Sequence, residues 1–158
     1  MKKIVLLMAL ALSSISLNAA SLLGQVSVKD SMCYYWGNSW THPTLPNANT
    51  CFDIRNVYTN LNRWDNGSHG NVTKTSKNLE GDYMLIQVDV FGVPANEPTV
   101  MYKYQTLNAV GYEQIVNYDS NPAIINGSRY WFQYRGNVGS GDIIVKHYAN
   151  YVDELEVR

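Results

Sequence analysis

Beyond its first twenty residues the chain has no apolar run approaching the roughly 20 residues that a membrane-spanning helix needs, so no helical span is expected there. Charge is scarce as well: Asp, Glu, Lys and Arg make up 16% of the residues, with 12 basic against 13 acidic. That balance offers no basic stripe to a phosphate backbone or an anionic bilayer, so neither nucleic acid nor stable membrane insertion is expected. Reaction signatures are missing too. There is no Gly-x-Ser-x-Gly elbow, no His-Glu-x-x-His and no phosphate loop. The three histidines, His42, His69 and His147, are not at metal-ligand spacing from one another, and Asp65-Asn66-Gly67 lacks the alternate carboxylates of a calcium loop. The expectation is therefore no catalytic set, no metal and no cofactor. Disorder is excluded by the opposite feature, an aromatic share of 12% at low charge.

The apolar run that does exist lies at the start. Lys2 and Lys3 precede an uninterrupted apolar stretch from Ile4 to Leu12, and Ser13 to Ala20 then turn small and polar. This is the three-part layout of a secretory signal, with Leu17-Asn18-Ala19 as the expected cleavage site. The sequence thus divides into a signal peptide over 1–19 and one β-rich domain over 20–158, a length that suits a single core. Loss of Lys2 and Lys3 would leave ten basic residues against 13 acidic ones. Only two cysteines occur, Cys33 and Cys51. In an exported chain an even count reads as a disulfide between them, which would contribute roughly 3 kcal/mol by restricting the unfolded chain.

The second half shows a period of two. Over 83–91 one face carries Met84, Ile86, Val88 and Val90 while Gln87 and Asp89 point the other way, the pattern of a half-buried strand. Further strands are expected over 99–106, 110–118, 128–135, 142–149 and 151–157, separated by turn clusters that include Asp119 to Pro122, Asn126-Gly127 and the glycine-rich Gly136 to Gly141. Gln25 to Lys29 is a plausible opening strand. One segment has helical spacing instead: Ile54, Val57, Tyr58 and Leu61 fall on one stripe, which predicts a short helix at about 52–63. Many short strands without intervening helices predict a mostly β domain, an antiparallel β-sandwich of Ig-like or jelly-roll-like type or a small barrel.

The densest unusual stretch runs from Cys33 to Cys51 and holds Tyr34, Tyr35, Trp36, Trp40 and His42 beside Pro43 and Pro46. Flat aromatic faces on a loop pinned by a disulfide suit stacking on sugar rings or anchoring a protein interface. They also suit filling a small core. The leading expectation is an exported, periplasmic or extracellular, non-enzymatic binding module. It would recognise a glycan or an envelope or host protein through Tyr34, Tyr35, Trp36, Trp40 and His42. An inhibitor or toxin-like domain inserting the same loop into a partner is the second reading. A small hydrolase using Asp65, His69, Glu113 or His147 is the third, and needs two of those side chains within hydrogen-bond reach or one bridging water. Glu113 and Asp89 could also pair across strands. Oligomeric state is not legible.

Overall fold

In the computed structural model the described residues are 22–26, 34–36, 39–41, 50–65, 74–76, 78–92, 97–117, 124–148 and 150–158. Among them every regular element is a strand. In chain order these are β1 (Leu22–Val26), β2 (Tyr34–Trp36), β3 (Ser39–Thr41), β4 (Thr50–Thr59), β5 (Arg63–Asp65), β6 (Lys74–Ser76) and β7 (Gly81–Gly92). They continue with β8 (Thr99–Tyr102), β9 (Gln105–Asn117), β10 (Ile124–Val138), β11 (Gly141–His147) and β12 (Asn150–Val157).

Ten of these strands form one sheet in the order β5-β4-β7-β10-β9-β8-β11-β12-β6, with β1 added in parallel to β9. The long β9 joins the two halves. Its residues 108–117 pair with β10, and its residues 105–107 pair with β8. The sheet curls until β12 faces β4, where the Ile54 N–H donates to Asp153 Oδ2 at 2.6 Å. The result is a half-barrel around one core. Alternation puts Ile86, Val88 and Val90 of β7, Phe132 of β10, Val100 and Tyr102 of β8, Ile143 and Val145 of β11 and Leu155 and Val157 of β12 on its inner face. The expectation of a mostly β, mostly antiparallel chain is met, with parallel pairs at β1–β9 and β12–β6. The two halves face one another across the core, but a sandwich of Ig-like or jelly-roll type is not confirmed.

The short helix expected at about 52–63 is overturned, because those residues form β4, a turn and the start of β5. The reason is a β-bulge. Ile54 pairs with Val88 and Asn56 with Gln87, so Arg55 is an extra residue on β4. It shifts the inward face by one position, and Ile54 and Val57 are both fully buried at a spacing of three. A bulge therefore imitates the first step of a helical stripe. Leu61, the supposed end of that stripe, is 70% exposed.

Two further expectations change. The stretch 99–106 is not one strand but β8 and the start of β9, joined by a two-residue turn at Lys103-Tyr104. Asn126-Gly127 is no turn either: both lie inside β10, where the register against β9 shifts between Ile125 and Gly127. A Cβ at Gly127 would stand 2.0 Å from the Val90 carbonyl oxygen, so this glycine serves the close approach of β10 to β7.

Candidate functional site

Two polar arrangements stand out, and register builds both. On the outer face of the first half, Asp53 of β4 lies opposite Asp89 of β7, Asp89 opposite Arg129 of β10, and Arg129 opposite Glu113 of β9. Four charged residues thus form one row across four strands. Arg129 Nε donates to Asp89 Oδ1 at 2.7 Å and Nη2 donates to Oδ2 at 3.0 Å, while Nη1 lies 3.9 Å from Glu113 Oε2. Gln87 Nε2 donates to Asp89 Oδ1 at 3.2 Å. Asp53 and Asp89 are fully buried, and Cys51, Phe91 and Ile115 are buried beside them, so this face is covered as well. Burial pushes the Asp89 carboxyl above its ordinary range; Arg129 pulls it down and Asp53 pushes it further up. Like charges directly opposite one another destabilise a sheet, and here the bidentate guanidinium offsets that cost. The row ties β4, β7, β10 and β9 together through their side chains.

The second arrangement is open to solvent. On the outer face of β8, β11 and β12 a groove of about 350 Å³ is lined by Met101, Lys103, Tyr104, Ser140, Gly141, Asp142, Ile144, Lys146 and Tyr151. Met101 and Ile144 are cross-strand partners and make an apolar floor. Lys146 lies opposite Tyr151, and its Nζ sits 4.5 Å from the centre of that ring. Tyr151 is 60% exposed and Tyr104 is 100% exposed. Asp142 and Lys146 are four residues apart on β11, so the floor extends for about 13 Å at the usual strand rise.

Tyr104 is held at the lip by an unusual turn. Lys103 and Tyr104 have φ of 47° and 64°, both left-handed, as a two-residue hairpin of type I′ requires. Asn-Gly is the favoured pair at such a turn, because a bulky side chain on a left-handed residue costs about 1 kcal/mol or more. The turn is fixed from below. The Tyr102 hydroxyl donates to the Gly139 carbonyl and accepts from the Gly139 N–H at 3.1 Å, and Lys103 Nζ donates to the Asn137 carbonyl at 2.9 Å.

The residues singled out from sequence fare unevenly. Tyr34, Tyr35 and Trp36 lie on β2 and Trp40 on β3, a hairpin in which Tyr35 is paired with Trp40, and β3 approaches β4 and β7. The side chains of this hairpin, together with His42, His69 and Cys33, lie outside the described residues. Cys51 is buried and is not a free thiol. Asp65 and Glu113 are not brought together. They sit on β5 and β9, four strand spacings apart, on the order of 19 Å along the sheet. Asp65 meets Arg63 at 3.1 Å instead. His147 is in the other half, its ring 4.9 Å from that of Phe52. The pair Glu113 and Asp89 does not form either, since Arg129 stands between them. The groove was missed because its marker is a left-handed Lys-Tyr pair, which carries no sequence signal for a turn. Comparison of the chain with protein-family models, curated proteins and solved structures returns no match.

Proposed function

We propose that the chain is an exported, non-enzymatic binding module and that it takes a carbohydrate in the groove between Tyr104 and Tyr151. The observation that carries this reading is Tyr104 itself. Its side chain is fully exposed, so it adds nothing to the core, and its backbone is in a conformation that disfavours any bulky residue. A residue that costs folding energy and contributes no packing is explained by what it presents to solvent. What it presents is a flat ring at one end of an apolar floor, with a second exposed ring, Tyr151, among the lining residues. Sugar rings offer apolar faces to such rings and hydroxyls to flanking polar groups, here Ser140, Asp142 and Lys146. The pinned aromatic segment from Cys33 to Cys51 has no described side chains that could carry the same argument. A hydrolytic role loses support from the separation of Asp65 and Glu113.

Binding of the purified domain to a panel of soluble oligosaccharides, measured by calorimetry, tests the reading. Tyr104→Ala and Tyr151→Ala are each expected to weaken binding on the order of tenfold, about 1.4 kcal/mol, the scale of one lost aromatic stacking contact. Both residues are exposed enough for the fold to survive. Undiminished binding in both variants, or no binding by any glycan, would refute it.

A further inference from the structure

We infer that β1 is an exchangeable strand: Leu22–Val26 of one molecule adds to the β9 edge of a second copy, and the chain thereby forms strand-exchanged dimers. This is independent of the reading of the groove. β1 lies on the edge of β9 that faces away from β10, in parallel, with Leu22 opposite Tyr112, Gly24 opposite Glu113, Gln25 opposite Gln114 and Val26 opposite Ile115. A tight turn cannot deliver a parallel neighbour. Gln25 and Gln114 are 89 residues apart in sequence, so no hairpin fixes which molecule supplies the strand. Burial does not fix it either: Leu23 is 60% exposed, Gln25 is exposed, and neither joins the core.

What holds β1 is a specific seat. The Gln25 side chain donates to Gln114 Oε1 at 3.0 Å. The Leu23 side chain lies against the bare backbone of Gly111, where a Cβ would come within 2.7 Å of Leu23 Cδ1. The occupant that fits this seat is the chain's own strand, and β1 of a second copy remakes every one of these contacts. Exchange of such an element is a low-cost route to a dimer, with the backbone hydrogen bonds of strand addition supplying the affinity. With the expected signal removed, β1 is the first element and is free at one end. The seven residues 27–33 that follow it can span up to about 25 Å, several strand spacings. Pairing within and between molecules shares the same contacts, so protein concentration decides between them.

Cysteine pairing tests this on protein purified after export. Gln25→Cys and Gln114→Cys are prepared as separate variants, mixed and oxidised. Neighbouring strands lie about 4.8 Å apart, within the range that a disulfide bridges, and Cys51 is not a free thiol that would compete. A chain with one of the two substitutions cannot close the link within itself, so a disulfide between the two variants reports exchange. The expected product is a linked dimer holding one chain of each variant, its yield rising with protein concentration. Adding Gly111→Ala to the Gln114→Cys chain displaces Leu23 and should lower that yield several-fold. A chain carrying both cysteines is the reference for pairing within one molecule. Linkage in that reference with no mixed dimer, linkage in neither, or a mixed-dimer yield indifferent to Gly111→Ala overturns the inference.

Discussion

Arg129→Leu is expected to lower the unfolding free energy by about 3–5 kcal/mol, the cost of leaving one member of a buried ion pair without its partner. The guanidinium is the bidentate partner of Asp89, whose side chain has no solvent exposure and stands opposite another fully buried acid, Asp53. With Arg129 gone, Asp89 must take up a proton to stay inside. The sign of the accompanying pH effect follows. Burial already raises the Asp89 carboxyl, and loss of Arg129 removes the principal influences that lower it. An acid whose folded-state pKa exceeds its unfolded value of about 3.9 binds more protons folded than unfolded. Stability of the variant should therefore rise as pH falls through the folded-state value, and this gain should end near the unfolded value. Urea midpoints at successive pH values would show it. The double variant Asp89→Leu/Arg129→Leu should regain most of the loss, because no buried charge on β7 is then stranded. A double variant as unstable as the single one would mean that the row contributes through packing rather than charge.

The second large effect is expected at the β8–β9 turn, and it runs in opposite directions for stability and binding. Lys103→Asn combined with Tyr104→Gly installs the pair that a type I′ turn prefers. Relief of two left-handed bulky residues should stabilise the protein by roughly 1–2 kcal/mol. The same change removes the lip of the groove and one of its two lysines, and glycan binding should fall by more than the tenfold expected for Tyr104→Ala alone. Denaturant unfolding and calorimetry on the same preparation read both quantities. A turn variant that binds as well as the parent would show that the strained pair serves something other than a ligand.

The parts of this fold that were legible in the sequence are those where one face is apolar and the other is not. Met84, Ile86, Val88 and Val90 announce β7 because they alternate with the polar Gln87 and Asp89, although the strand proves buried on both faces rather than half-buried. Legibility fails where the chain departs from strict alternation. The bulge at Arg55 turned a strand into an apparent helical stripe, and the Lys103-Tyr104 turn had no glycine, asparagine or proline to mark it. Gly127 misled in the other direction, since its reason is a carbonyl oxygen on a neighbouring strand rather than a turn of its own. The charge row was invisible for a related cause. Asp53, Asp89, Arg129 and Glu113 are far apart in sequence, and only the registers of β4, β7, β10 and β9 align them.

The claim that the outer groove of β8, β11 and β12 is a ligand site is tested most directly by mapping backbone amide shifts of the ¹⁵N-labelled domain during titration with an oligosaccharide that it binds. The largest shifts are expected within Met101 to Tyr104, Ser140 to Lys146 and at Tyr151, the segments that carry the groove's lining residues. Saturable shifts confined to β2 and β3, with the groove residues unmoved, would contradict it and return the ligand to the aromatic hairpin.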